Sequence, residues 1–521
     1  MNAPTTWTTG FTDVIKTGTW RAALPAYRDR LSPCTQACPV NGEIAQWIGR
    51  ARAQDWHGAW TTLVEHNPFP AVAGRVCHQP CEASCNRSGY DEALAICSLE
   101  RHVGDRAIAE RWRFPDAPLG AEHVAIVGGG PSGLSAAYQL RRRGYAVTLF
   151  EAQPHLGGLM RYGIPPYRLP REVLDAEIDR IVELGIDVRA GVSIANPDQF
   201  SKLARNYDAV YIAIGAGQPK RLRELDYSQP WIMESAAYLA QANAGRPPAL
   251  GRRLLVVGGG SAAMDVARSA KRARHEVRVL ALESDAGMPA QREEVLAARE
   301  EGIEIVNGAM LRSATPGRVQ CVRVDFRAHP FTVTPIAGTE FEFQADAIVT
   351  AIGQDAELAG LRPLMKAEGG LIWTDAQGAT SSAGIFAGGD AASGHRFVTH
   401  AIAMGKRAAL AIDRWLTDKT APPGPGEPVR RSAINTAYHP HAARVCGTRA
   451  DLSAAQAVVE AARCFSCGHC TACDNCFIYC PDIAVRHVDG GYAIAEDYCK
   501  GCGLCVRECP TGALAMQEEM R

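Results

Sequence analysis

Eighteen cysteines occur in 521 residues, and they are not scattered. Six fall at positions 34, 38, 77, 81, 85 and 97, ten between 464 and 509, and only Cys321 lies between positions 97 and 446. The C-terminal group contains two copies of one spacing, Cys470-x2-Cys473-x2-Cys476-x3-Cys480-Pro481 and Cys499-x2-Cys502-x2-Cys505-x3-Cys509-Pro510. Three thiolates at two-residue intervals fold round one corner of an iron–sulfur cube, and the x3-Cys-Pro step carries a fourth away. Zinc is the competing reading of any cysteine cluster, but zinc sites do not call for a duplicated run ending in Cys-Pro. Cys321 and Cys446 stand outside the pattern and read as small buried hydrophobes.

A second set of residues has the spacing of dinucleotide binding. In residues 123–151, HVAIVGGGPSGLSAAYQLRRRGYAVTLFE, an apolar strand over 124–127 runs into Gly128-x-Gly130-x-x-Gly133, a helical stretch follows, and a second strand ends in Glu151. Glycines so placed let the backbone approach a pyrophosphate at a helix N-terminus, and an acid about 20 residues on accepts hydrogen bonds from a ribose. A second copy begins at Leu254, with Gly258-x-Gly260-x-x-Ala263, a helix, and a strand expected to end at Leu282-Glu283. Two such units in one chain imply two dinucleotides, a flavin and a nicotinamide.

These groups need scaffolds, and the length allows about three or four domains at ~150 residues each. Apolar periodicity over 44–64 predicts helices around the N-terminal cysteines. The stretch APPGPGEP (421–428) predicts an extended, non-packing linker ahead of the C-terminal cysteines. A net charge of −1 with 21% charged residues argues against a nucleic-acid or acidic-membrane surface as the main partner. No apolar run approaches the ~18–20 residues of a membrane span. The start, MNAPTTWTTG, lacks the basic and apolar regions of a secretory leader, so a cytoplasmic location is expected. Thiols stay reduced there, which again favours metal ligation over disulfides.

Several motifs carry family resemblances. The duplicated cysteine run resembles a two-cluster 4Fe-4S bacterial ferredoxin, which implies exchanged fourth ligands: one cluster on Cys470, Cys473, Cys476 and Cys509, the other on Cys499, Cys502, Cys505 and Cys480. GIFAGGD (384–390), followed by a helical segment over 397–409, resembles the second FAD motif of two-dinucleotide flavoprotein reductases. It implies that Asp390 binds the flavin side chain and that the helix N-terminus faces the isoalloxazine. The first unit would then take FAD, and Gly258, Gly260, Ala263 and Glu283 of the second would take the nicotinamide. YDAVYIAIGAG (207–217) and ADAIVTAIGQ (345–354) resemble the paired crossover strands of that fold, which implies a nicotinamide domain inserted into a split FAD domain.

GGLMRYGIPPYRLPRE (157–172), residues 254–268 and Met288-Pro289-Ala290 look very like the small (beta) subunit of glutamate synthase and its relatives, over about residues 30–415. Those relatives include the nicotinamide-binding subunit of bifurcating ferredoxin oxidoreductases and the N-terminal half of dihydropyrimidine dehydrogenase. The resemblance adds Gly158 to the FAD residues Gly128, Gly130, Gly133, Glu151 and Asp390. It implies an α/β chain with two Rossmann-like domains, an N-terminal α-helical iron–sulfur domain and a C-terminal ferredoxin-like α+β domain. The expected boundaries are 1–120 for the helical iron–sulfur domain, 121–217 and 346–417 for the FAD domain, 218–345 for the NAD(H) domain, 418–463 for a linker and 464–521 for the ferredoxin-like domain.

CTQAC (34–38) and GRVCHQPCEASC (74–85) match the family's N-terminal cluster domain, which usually holds two clusters. One would use Cys38, Cys77 and Cys81, with Cys97 or Glu100 as fourth ligand. The other would have Cys34 and Cys85 but lacks the Arg-Cys-x2-Cys-Gly element that usually precedes Cys34. That element has a likeness in Arg463-Cys464-Phe465-Ser466-Cys467-Gly468. Cys464 and Cys467 are therefore either spare thiols or displaced ligands, and four clusters are expected, at least three. NADPH-using relatives carry Tyr-Arg-Arg where this chain has Ala281-Leu282-Glu283, which implies NAD(H).

The function implied is hydride exchange with NAD(H) and relay of single electrons through 4Fe-4S clusters. They would pass to or from a ferredoxin or a catalytic partner subunit, such as a 2-oxoacid or aldehyde oxidoreductase, in a hetero-oligomer. The alternative is a glutamate synthase small subunit delivering electrons to a large synthase subunit. No acid–base pair stands out as catalytic.

Overall fold

The computed structural model describes residues 16, 18, 21–28, 30–361, 364–420, 426–447 and 449–519. The chain forms two units, one of residues 1–70, 79–110 and 421–521, the other of residues 71–78 and 111–420.

Two parallel sheets carry the dinucleotide motifs in the second unit. In the first, the strands run in the order Ile385–Ala387, Ala209–Ile212, His123–Val127, Ala146–Glu151 and Asp187–Ala190. Its central strand His123–Val127 is buried from Val124 onward, as suits a parallel strand covered on both faces. The second sheet has the order Glu304–Val306, Glu276–Leu280, Arg253–Val257, Ala347–Thr350 and Ile232–Glu234. All its strands fall in the chain between Ala209–Ile212 and Ile385–Ala387, so the second domain is inserted into the first.

Two expectations about this region are corrected. Ala347–Thr350, expected as a returning crossover strand of the FAD domain, is an inner strand of the second sheet. All four of its residues are buried, and such an apolar run is more stable between two parallel neighbours than in an exposed crossing. The inserted domain therefore extends at least to Thr350, and the crossing is made by Gln354–Asp355, antiparallel to Gln218–Pro219. The strand expected to end at Leu282-Glu283 stops at Leu280, which puts Glu283 in the following loop.

The first unit is built from both ends of the chain. Helices Ile44–Arg52 and Trp56–Val64 occupy the stretch with apolar periodicity and are separated at Asp55, whose carboxylate caps the second by accepting from the Gly58 amide at 2.9 Å. Helix Ile96–Ala109 follows, and the C-terminal part adds two one-turn helices, Asn475–Ile478 and Leu504–Arg507, and the hairpin Val485–Val488 with Gly491–Ile494. The strand Ala23–Tyr27 pairs antiparallel with Leu514–Glu518.

The expected linker over 418–463 is also corrected. Residues 421–425 of the Pro/Gly-rich stretch lie outside the described residues, but the segment after Pro428 is packed. Val429 and Ile434 are buried, and helix Ala454–Ala462 opens with a capping box between Ser453 and Gln456. Glu460, wholly buried, accepts from the amides of Ala95 (2.8 Å) and Val445 (2.9 Å) and pairs with Arg463 at 2.7 Å. Arg444 pairs with Glu82 at 2.7 Å, and Glu82 also accepts from the Cys97 amide. Composition marks the short Pro/Gly stretch, but the apolar and paired side chains after it bind this segment to the N-terminal helices. Among the described residues no helix is long and apolar enough to cross a membrane.

Candidate functional site

The first glycine-rich turn joins strand His123–Val127 to helix Pro131–Arg141. Gly128 has φ +110°, and a Cβ there would collide with the Ala213 carbonyl; one on Gly133 would collide with the Gly128 carbonyl. Gly130 differs, since its Cβ would meet nothing nearer than the Gly158 Cα at 3.9 Å. Two of these glycines make the turn, and the third keeps a space open over the helix N-terminus, as a pyrophosphate cradle requires. Gly158, at φ +51°, closes against it, and a Cβ there would come within 2.9 Å of the Gly130 Cα. Glu151 accepts from the Gly129 and Gln153 amides, each at 2.7 Å.

Asp390 lies in the turn before helix Val398–Thr417, where burial pushes its carboxyl up against the opposing charge of Arg396. Ser132 and Tyr211 share a hydrogen bond of 2.6 Å beneath that turn. In the first turn of the same helix, Thr399 Oγ1 lies 3.9 Å from Cys77 Sγ, and the His78 ring stacks on Phe397 at 4.2 Å.

The second turn repeats the first with one difference. Gly258 has φ +139° and backs onto the Ala351 carbonyl, Gly260 has open space where a Cβ would be, and Ala263 is buried at the helix start. Glu283 reaches in beside Gly259, but its Oε2 is buried with no hydrogen-bond partner among the described residues. A carboxylate oxygen desolvated without a donor is costly, so the atom suits a ligand hydroxyl. Leu282 beside it brings no charge to the site. The nearby Arg292 and Arg299 are both engaged by Asp285.

In the first unit, one hollow is walled by Cys480, Cys499, Cys502 and Cys505, another by Cys470, Cys473, Cys476 and Cys509. The two hollows separate these eight cysteines into two sets of four. Backbone amides of Ala484 and Gly501 donate to Cys480 Sγ (3.3 Å) and Cys499 Sγ (3.4 Å). Two further groups have no signal near the cysteine pattern. The Tyr27 hydroxyl lies 3.1 Å from Cys476 Sγ, and Arg21 donates to the Cys499 carbonyl at 3.2 Å while pairing with Glu519 at 2.6 Å. Both come from beside or within a strand whose partner is at the other end of the chain.

The remaining cysteines are arranged as follows. Cys34, Cys85, Cys464 and Cys467 lie together in the first unit, close enough for each thiol to feel the others' charge. Burial pushes the Cys464 thiol up to about 11 and that of Cys467 up to about 12, and holds Cys34 well above the usual thiol range. Such thiols stay protonated at neutral pH unless a metal replaces the proton. Cys38 is raised by burial and by the charge of Glu100, which accepts from Asn67 at 2.8 Å. Cys81 and Cys97 are buried in the same unit, while Cys77 belongs to the second. Cys321 is buried in strand Arg318–Arg327.

A family model described as pyridine nucleotide-disulphide oxidoreductase matches residues 119–405. Dihydropyrimidine dehydrogenase domain II, 4Fe-4S cluster, matches residues 28–112, and a 4Fe-4S binding domain matches residues 492–515. The NADP(+)-dependent formate dehydrogenase subunit beta of Moorella thermoacetica is 37% identical over 435 residues, covering 75% of this chain and 61% of that protein's length. The glutamate synthase [NADPH] small chain of Mycobacterium tuberculosis is 32% identical, covering 76% of this chain and 88% of its own. The NAD-dependent dihydropyrimidine dehydrogenase subunit PreT of Escherichia coli is 33% identical, covering 74% and 91%. The solved structure of Mycobacterium tuberculosis FprA in complex with NADPH shares the fold, with a TM-score of 0.50 at 16% identity over 58% of this chain and 88% of that one. The chain belongs to the pyridine nucleotide-disulphide oxidoreductase family, within the branch of the glutamate synthase small subunit, and is an oxidoreductase of FAD, NAD(P)H and 4Fe-4S clusters.

Proposed function

We propose that this chain is the NAD(H)-oxidising or NAD(+)-reducing subunit of a cytoplasmic hetero-oligomer, exchanging electrons with a ferredoxin or with a catalytic oxidoreductase subunit. Bound together, nicotinamide, FAD and 4Fe-4S clusters supply hydride exchange and its division into single electrons. The chain's residues supply position and potential. Gly128, Gly130, Gly133 and Gly158 would shape the pyrophosphate cradle of FAD, Glu151 would bind its ribose, and Asp390 would take the flavin side chain. Helix Val398–Thr417 would offer the positive end of its dipole to the flavin. Gly258, Gly260 and Ala263 do the corresponding work for the nicotinamide.

The observation that carries the preference for NAD(H) is the unpartnered buried oxygen of Glu283, which suits a free ribose diol and repels a 2′-phosphate. The relatives' names include both NAD and NADP(H), so this residue rather than kinship supports the reading. For the clusters we assign Cys470, Cys473, Cys476 and Cys509 to one and Cys480, Cys499, Cys502 and Cys505 to the other.

The test is anaerobic reduction of a viologen dye by the purified chain with NADH and with NADPH, alongside flavin and iron analysis. NADH is expected to have the higher kcat/KM; a higher value with NADPH overturns the cofactor preference, and no dye reduction with either overturns the electron-transfer role. A glutamate synthase small subunit is the second reading, supported by coverage of 88% of the mycobacterial small chain. It predicts that adding a large synthase subunit yields two glutamates from glutamine and 2-oxoglutarate, with oxidation of one NAD(P)H.

A further inference from the structure

We propose that Cys34, Cys85, Cys464 and Cys467 together hold a 4Fe-4S cluster, a composite site to which the N-terminal helices and the segment ahead of the ferredoxin-like run give two thiolates each. Neither matched iron–sulfur pattern, over residues 28–112 and 492–515, includes Cys464 or Cys467. The eight cysteines around the two hollows do not include them either.

The backbone geometry brings the four together. Cys34 lies on the short helix Pro33–Ala37, and Cys85 precedes the turn Asn86–Gly89. Asn86 Nδ2 donates to Cys467 Sγ at 3.5 Å and to the Val429 carbonyl at 3.0 Å. Arg87 donates to the Arg463 carbonyl, and the Val429 amide donates to the Leu31 carbonyl at 3.0 Å. Gly468, at φ +81°, lies so close that a Cβ would collide with the Arg30 carbonyl. Residues 463–468 are thus in contact with residues 30 and 86–87. The charges agree with this placement: Cys34 interacts with Cys85, Cys464 and Cys467, Cys464 with Cys85, and Cys467 with both Cys85 and Cys464. Those are all six pairings of four sulfurs.

The surroundings suit thiolates bound to iron. Two donors already point at the sulfurs, the Ser466 amide, 3.4 Å from Cys464 Sγ, and Asn86 at Cys467, and the Ser32 hydroxyl lies 3.0 Å from Cys34 Sγ. Such outer hydrogen bonds orient cluster ligands and tune their potential. The Gly468 amide donates to the Thr511 carbonyl at 2.8 Å, and Thr511 Oγ1 lies 3.6 Å from Cys509 Sγ. The composite site therefore adjoins the hollow of Cys470, Cys473, Cys476 and Cys509.

The test uses the full chain purified anaerobically with its flavin and iron. Cys464→Ser with Cys467→Ser, and separately Cys34→Ser with Cys85→Ser, should each lose about four iron and four acid-labile sulfide per chain, one cluster's content. The quadruple variant should lose the same four. Each variant should also lack one reduced-cluster signal in electron paramagnetic resonance, while Cys446→Ser changes nothing. Unchanged iron in the first double variant, or a loss of about eight in the quadruple, overturns the proposal. If the variants do not fold, iron-edge anomalous diffraction from the wild-type holoprotein decides it. Iron density touching all four sulfurs is expected; zinc there, or no metal there, overturns the site.

Discussion

Glu151 ends the second strand of its motif, whereas Glu283 lies in the loop after the corresponding strand, and their oxygens are used differently. Glu151 is satisfied by two backbone amides, while Glu283 keeps Oε2 buried and unpartnered. Replacing Leu282 and Glu283 together by arginine should raise the NADPH-to-NADH ratio of kcat/KM at least about tenfold, or ~1.4 kcal/mol, because a fork of donors would hold a 2′-phosphate. Steady-state kinetics with both nucleotides checks it. The glycines separate by what their absent Cβ would meet. Gly130→Val fills open space, so the protein should fold, lose its flavin absorbance and keep its iron–sulfur absorbance, whereas Gly133→Val drives a side chain into the Gly128 carbonyl and should fail to fold. Tyr27→Phe removes a hydroxyl from Cys476 Sγ and should make that cluster's potential more negative in a redox titration, leaving its neighbour unchanged. The glycines and Glu283 are legible in the sequence because their spacing is local. Tyr27 is not, because nothing near residue 27 in the chain indicates a sulfur contributed by residue 476.

The segments that position these residues are legible where a period or a cap is short-ranged. The helices over 44–64 and the strand–turn–helix units follow from apolar spacing alone. Apolar spacing does not assign Ala347–Thr350 to its sheet, because a buried parallel strand reads the same whichever sheet receives it. The segment after Pro428 reads as linker because its partners, Glu82, Asp91 and the Ala95 amide, lie about 350 residues away. That segment should matter to stability. Glu460→Ala removes one of the two carboxylates paired with the buried Arg463, leaving Asp91, and strands two amide donors at a cost of about 1–3 kcal/mol each. A lowered urea midpoint for the transition that releases iron, with flavin release unmoved, is the expected readout.

For the whole molecule, two units imply two cooperative transitions. Metal ligation is coupled to folding, so the unit rich in thiols should depend on its iron. Stripping iron with a chelator under reducing conditions should lower or abolish one calorimetric transition and leave the one reported by flavin fluorescence in place. A single merged transition that shifts as a whole would count against independent units.

The pairing of Ala23–Tyr27 with Leu514–Glu518 bears on how the protein is made. The strand that brings Tyr27 to Cys476 leaves the ribosome well before its partner, which is not synthesised until about 490 residues later. At roughly 5–20 residues per second, that strand waits about 25–100 s with an open edge. A delay almost as long separates Cys34 from Cys464. Cluster insertion at either place must therefore await residues 464–509, and a chain released before residue 514 would carry an unsheltered strand edge into solution.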